Sequence, residues 1–401
     1  MSYANRLGSA TTYASAIQNI ARRQVELAGL QENMTSGKRV NRASDDPTSA
    51  AQAERATTRI ARIAADQRAL AAQRDTMALA ESTLGDAHSA LQDFRTLVVN
   101  AGNGTLTPTD RASIAQRLTA LREQIYGYAN QQDSNGVPLY GGLGAADTAF
   151  SNTDPVQFQG LGGQRTGGNV SVAPTIDGQA AFMNVPTGNG VFTVATGAAN
   201  TGTAWADAGT VTNPTAVTGH DYSIAFAVDA TTGATTYTVT DTTVGTTTPA
   251  AAYKEGAAIV FDGQSLVVKG KPANGDSLAV APSDRSDVFK VMDQAIADIT
   301  AAKTTTGALP TQLAQSLAQI DAGLARLQTA RGHAGNVLNQ VDRISDGQEA
   351  RSTQLEGERS AAEDLDMIRA ISDFQNRQTG YSAALSSYAQ IQKLSLFTFI
   401  G

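Results

Sequence analysis

Large apolar side chains recur every seven residues over both ends of this 401-residue chain and stop doing so in its middle. Ile20, Leu27 and Met34 form one such row; Ile63, Leu70, Met77, Leu84, Leu91 and Val98 form the next. A seven-residue repeat keeps one apolar stripe turned toward a partner helix, so these stretches are predicted to be long helices in coiled-coil pairs. After TPTD at 107–110, a helix cap with Pro108 near its first turn, Ile114, Leu118, Leu121, Ile125 and Tyr128 continue in steps of four and three. The C-terminal third repeats the pattern. Leu313, Leu317, Ile320, Leu324 and Leu327 are followed in phase by Ala334, Leu338 and Val341. Met367, Phe374, Tyr381 and Tyr388 then stand seven apart, with Ile371 and Leu385 on the adjoining row. A bundle assembled from both ends of the chain is expected; by itself the pattern is equally that of a purely intramolecular bundle.

Between these ends the period changes. GVFTVATG (190–197), DYSIAFAVD (221–229), TTYTVTDTTVGTTT (235–248), GAAIVFDG (256–263) and QSLVVKG (264–270) are short β-branched runs set off by Gly, Asn, Asp and Thr. They read as strands joined by tight turns. Acidic side chains outnumber basic ones over 143–285. An exposed β domain inserted between two helical arms fits this composition, and for the Thr-rich 231–248 a strand and a flexible loop are both open.

The chain closes on LSLFTFIG (394–401), an apolar stretch where polar residues are usual. With 41% hydrophobic residues there is material for two or more cores. Aromatics are only 5%, which favours aliphatic seams over aromatic clusters. A formal charge of -7 argues against nucleic acid as a partner, since phosphate-binding surfaces are basic. There is no cysteine, hence no disulfide, thiol nucleophile or Cys-ligated zinc. The opening MSYANRLGSATTYASAIQNIARR lacks a charged region leading into a continuous apolar one, and no later run approaches the roughly 18 apolar residues of a membrane span. No membrane insertion is expected.

Residues for chemistry are scarce. His88, His220 and His333 are isolated and in no metal-ligand spacing. GLGGQRTGG (160–168) lacks the Gly-Lys-Ser/Thr of a phosphate loop and reads as a flexible loop. Glu363, Asp364 and Asp366 follow Ser360 and precede a periodic segment, where carboxylates favour a helix N-terminus. No catalytic residue, metal site or cofactor is expected. SGKRVNRASDDP (36–47) reads as a loop between long helices: Gly37 ends the first, Ser44 caps the second, and Asp45, Asp46 and Pro47 fit its first turn. Lys38, Arg39 and Arg42 are either solvated or paired with acidic groups of a neighbouring subunit, composition favouring solvation.

SGKRVNRASDDPTSAAQAE, AAQRDTMALAESTLGDAHSALQDFRTLVVNAGNGTLTPTDR and SAAEDLDMIRAISDFQNRQTGYSAALSSYAQIQKLSLFTFIG together resemble the flagellin superfamily, and within it the hook-associated branch. FDGQSLVVKGKPANGDSLAVAPS (261–283) resembles the β segment by which those proteins return to their helices, whereas 143–255 matches nothing familiar. The resemblance implies a non-enzymatic structural protein of the bacterial flagellum, extracellular, exported without a cleaved signal peptide, and seated at the junction between hook and filament. Filament flagellin and a secreted glycan-binding β module on a helical stalk are the rival readings. It implies as partners further copies of itself in a ring of about eleven subunits, the first junction protein, flagellin, and an export chaperone.

The expected fold is α+β: a long antiparallel helical coiled-coil bundle built from both termini, with an inserted, mainly β outer domain. Its expected parts are an inner coiled coil of 1–44 and 355–401, a helical bundle of 45–142 and 285–354, and a β-rich domain of 143–284. In the inner coiled coil Ile17, Ile20, Leu27 and Met34 are expected to face Tyr381, Leu385, Tyr388, Ile391 and Leu394. Leu394, Leu396, Phe397 and Phe399 are the expected chaperone handle, buried between subunits after assembly.

Overall fold

The computed structural model describes residues 3–144, 146–164, 168, 171–301 and 307–400; the side chains of 3–10, 12 and 391–400 lie outside that description. The helices are α1 (Tyr3–Ser36), α2 (Pro47–Ala101), α3 (Pro108–Ala129), α4 (Gly178–Phe182), α5 (Val288–Thr300), α6 (Ala308–Glu363) and α7 (Met367–Ile400). The expected α+β architecture, long helices from both ends and β structure between them, is the one observed. The chain forms two compact units, one of Met1–Arg68 with Ser345–Gly401 and one of Ala69–Ile344.

In the second unit, α2 and α6 run antiparallel along their heptad stripes. Leu70, Met77, Leu84, Leu91 and Val98 on α2, and Leu313, Ile320, Leu327, Ala334 and Val341 on α6, are all buried in one core. Each large side chain so buried contributes about 1.5–3 kcal/mol relative to leaving it in water. Ion pairs flank the seam: Arg95–Asp321 at 2.6 Å, Arg331–Glu81 at 2.7 Å and Arg74–Asp342 at 3.5 Å. Helix α3 starts as its sequence demands. Thr107 accepts from the Asp110 amide while the Asp110 carboxylate accepts from the Thr107 amide, a reciprocal capping box with Pro108 at the first position. On α3, Arg122 is buried; it grips Asp293 of α5 at 3.1 and 3.2 Å and lies 5.7 Å from the ring centres of Tyr126 and Phe289.

The described residues of 130–184 contain little regular structure, yet Leu139, Tyr140, Phe150 and Phe182 are fully buried in the same core as the helices. Here the expectation of aliphatic seams fails. Phe150 has ring contacts at 5.4 to 5.8 Å with Phe158, Phe182 and Phe289, and Tyr140 packs edge-on against Phe182 while its hydroxyl donates to the Ala80 carbonyl at 3.0 Å. A loop has no periodic stripe to bury, so a few large rings supply the apolar area instead. Average aromatic content conceals this concentration.

From Phe192 to Pro282 the chain is a β sandwich. Strands Ala251–Ala252, Thr235–Asp241, Tyr222–Val228, Ser277–Pro282 and Phe192–Thr196 follow one another across an antiparallel sheet, with Thr246–Thr247 also paired to Thr235–Asp241. Ala258–Phe261, Gln264–Lys269, Trp205–Ala206 and Thr210–Val211 form the second sheet. Alternate residues of both sheets, among them Phe192, Ile224, Phe226, Val239, Leu266, Val268 and Leu278, close one apolar core. Asp262 and Gly263 make the two-residue turn between Phe261 and Gln264 with φ of 39° and 74°, and a Cβ on Gly263 would stand 2.2 Å from the Asn213 carbonyl oxygen. The Thr-rich stretch is strand, turn, strand, its turn held by Asp241 accepting from the Thr243 and Val244 amides.

Candidate functional site

Among the described residues no group of three or more His, Cys, Asp or Glu side chains could hold a metal ion, and no helix is long and apolar enough to cross a membrane. His220 is not isolated: its Nδ1 lies 2.7 Å from Asp241 Oδ2. The features left to explain are all in the first unit.

There α1 and α7 pair antiparallel. Tyr13, Ala16, Ile20, Leu27, Leu30 and Met34 are half-buried on α1, in steps that follow the heptad; on α7 the corresponding row is Ala370, Phe374, Tyr381, Ala384 and Tyr388. Tyr13 meets Tyr388 edge-to-face at 5.3 Å, and Arg377 bonds Glu26 at 2.7 Å. Gly380 leaves room for the Arg23 guanidinium, which a Cβ there would approach to 2.7 Å. Of the residues expected in this coiled coil, Ile20, Leu27, Met34, Tyr381 and Tyr388 lie on the seam. Ile17 and Leu385 do not: they are turned outward, 51% and 41% exposed. Ile391 and Leu394, and the tail residues Leu396, Phe397 and Phe399, have side chains outside the described set. Tyr13 escaped the sequence reading although it stands seven before Ile20.

Other large apolar residues of the two helices are exposed. Beside Ile17 and Leu385 are Val25 at 73%, Ile368 at 86% and Ile371 at 42% exposure. In the second unit the seam residues of α2 and α6 are buried, whereas Leu79 and Val99 on α2 are exposed as well. A two-helix pair has only one face to bury within itself, so apolar residues off that face stay in water.

Where α1 and α6 end, their breaks interlock. Gly37 takes φ of 70°, a left-handed conformation suited to glycine, and ends α1. Lys38 and Asp364 then form an antiparallel β-bridge, the Arg39 amide donates to the Glu363 carbonyl at 2.7 Å, and the Leu365 amide donates to the Gly37 carbonyl at 2.9 Å. The loop cations remain solvated, with the Lys38, Arg39 and Arg42 side chains 46%, 47% and 70% exposed, and each also has a partner within its own chain. Lys38 pairs with Glu363 at 3.1 Å, Arg42 with Glu32 at 2.9 Å, and Arg39 with Asp46 at 3.2 Å while also donating to the Ala362 carbonyl at 2.7 Å. The cap of α2 is Asp46 rather than Ser44: its Oδ1 accepts from the Thr48 and Ser49 amides, which reach only the residue directly before Pro47. Hydrogen bonds from the Ser49 hydroxyl and amide, with Arg39 alongside, hold the Asp46 carboxyl at about 2, against an ordinary 3.8. Asp45 closes the loop by accepting from the Asn41 and Arg42 amides. Asp366 caps α7 through the Arg369 amide at 3.2 Å.

The helical ends of the chain pair with each other, and the β domain lies between them in sequence. Residues 9–144 match the bacterial flagellin N-terminal helical region. The flagellar hook-associated protein 3 of Salmonella typhimurium is 33% identical over 195 residues, 47% of this chain and 56% of that protein, so the chain spans little more than half the length of this curated relative. The flagellar junction protein FlgL of Legionella pneumophila is similar in structure, with a TM-score of 0.67 and 30% identity over 72% of this chain and 99% of that one. FlgL of Xanthomonas campestris, 27% identical, gives a TM-score of 0.68 over 77% and 99% of the two chains. The chain belongs to the FlgL family of flagellar hook-associated proteins.

Proposed function

We propose that this protein is a structural subunit of the bacterial flagellum, extracellular, which polymerises through its helical ends at the junction between hook and filament. One observation carries the reading: the α1–α7 pair leaves Ile17, Val25, Ile368, Ile371 and Leu385 exposed, and apart from Ala370 even its seam residues are only half-buried. Exposed apolar side chains gathered on one helix pair mark a surface for another subunit to cover. The family relation gives that partner its character: further copies of this chain in a ring, with the first junction protein on one side and flagellin on the other. Before assembly the apolar tail, Leu394, Leu396, Phe397 and Phe399, is the handle for an export chaperone, and export proceeds through the flagellar apparatus without a cleaved signal peptide.

Deletion of the gene tests this directly. Intact hooks, secreted flagellin and no attached filaments are expected, with attachment restored by the wild-type gene and not by an Ile17→Glu, Ile368→Glu variant. Filaments that remain attached after deletion would overturn the junction role. Long filaments grown from this chain alone would identify a filament flagellin instead. Replacing Leu394, Leu396 and Phe397 with Ser should weaken chaperone binding and leave the melting temperature of the chain unchanged; a lowered melting temperature with normal chaperone binding would mean that the tail packs on its own chain.

A further inference from the structure

One polar residue interrupts the buried heptad row of α6. Its successive positions Leu327, Ala334, Val341, Gln348, Leu355 and Ala362 are all buried, and five of the six are apolar. Gln348 is 8% exposed, and among the described residues neither its Oε1 nor its Nε2 has a hydrogen-bond partner. Another buried glutamine of the same helix behaves differently: Gln315 donates to the Asp207 carbonyl and accepts from the Thr193 hydroxyl. The apolar packing also divides at this row position. One cluster includes Leu70 and Val341; another, small and separate, holds Ala56, Ile63 and Leu355, with Ile60 against it.

We propose that Gln348 is a weak layer built into the helix pair, at which α2 and α6 open locally over 47–68 and 345–363 while 69–101 and 308–341 stay closed. The physical reason is an asymmetry between the two states. Closed, the amide has lost its bonds to water and gained none from protein; open, it recovers them, so opening here relieves a penalty that opening an apolar layer does not. A single polar residue on a coiled-coil seam lowers stability in this way while leaving the helical pattern intact. Local openings of this kind span free energies from near zero to that of global unfolding, and this layer places the segment toward the low end.

Hydrogen exchange of the full chain, followed peptide by peptide in the native state, tests the proposal. Gln348→Met keeps the length and flexibility of the side chain and removes the unpaired groups. It should slow exchange in 47–68 and 345–363 by about tenfold or more, with 69–101 and 308–341 unchanged. Gln348→Glu, which places a carboxylate in the same layer, should speed exchange in the first pair of segments and not in the second. Unchanged or faster exchange in the Gln348→Met chain would overturn the proposal, because the amide would then be contributing to closure. Equal slowing in all four segments would overturn it too, since the layer would have no local character.

Discussion

The backbones of Lys38 and Asp364, more than three hundred residues apart in sequence, meet as an antiparallel β-bridge in the gap between helices. Two helix breaks that would each be a hinge alone thereby brace one another, through the bridge, the Arg39 and Leu365 amides, and the ion pair of Lys38 with Glu363. Residues 36–47 are a joint held by bonds within the chain, with its cations still facing water.

Gly37→Ala should lower stability by about 1–2 kcal/mol, the penalty of a left-handed backbone for a residue bearing a Cβ. Nothing lies within 4 Å of where that Cβ would stand, so the loss is conformational and not steric. Urea unfolding of the purified chain measures it, and a loss well above this range would point to a collision instead.

Arg39→Ala should cost about 1–2 kcal/mol, since it removes charge-assisted hydrogen bonds to the Ala362 carbonyl and Asp46. Lys38→Ala, which removes one half-exposed ion pair, should stay within about 0.5 kcal/mol. Parallel denaturant titrations that reverse this order would show that the Lys38–Glu363 pair, not Arg39, holds the joint.

Acid should loosen the joint only at very low pH. The folded carboxyl of Asp46 is depressed below its ordinary value, so its contribution is fully present above pH 3.8 and is lost as pH falls through about 2. Carbon-detected NMR titration of the Asp46 carboxyl should give a midpoint near 2, moving toward 3.8 in Ser49→Ala, because Ser49 supplies the leading hydrogen bonds. A midpoint already near 3.8 in the wild-type chain would remove this account of the cap.

Phe182→Ala should destabilise by about 3–5 kcal/mol, the range for deleting a fully buried ring. Phe182 touches Tyr140, Phe150 and Phe289, so the loss should appear first as exchange or proteolysis within 139–184. A cost under 1 kcal/mol would mean that the irregular segment is held by its backbone bonds rather than by its aromatic core.

Ile368→Glu should leave the isolated chain within about 0.5 kcal/mol of wild type, because the side chain is 86% exposed. Self-association, followed by sedimentation at increasing protein concentration, should be lost. Undiminished assembly would place the subunit contact elsewhere on the α1–α7 pair.

The sequence by itself determined what is local. The seven-residue rows of α2 and α6, the Thr107–Asp110 cap, the Asp262–Gly263 turn and the alternation of the sandwich strands each follow from the conformational preferences of neighbouring residues, which any sequence displays openly. The tertiary structure decided what depends on a distant partner. On α7 the row through Phe374, Tyr381 and Tyr388 is aromatic, whereas Gln378 stands between Ile371 and Leu385; the sequence marks the first as the stronger stripe, and the placement of α1 makes it the seam and leaves Ile371 and Leu385 exposed. Likewise Lys38, Arg39 and Arg42 carry no mark of their acceptors, and the rings of Phe150, Phe182 and Phe289 none of their meeting. Gln348 looks like any polar residue of a helix until the packing of its neighbours closes over it. A period fixes which residues share a face, whereas burial depends on what covers that face, and that is set by contacts between residues far apart in the chain.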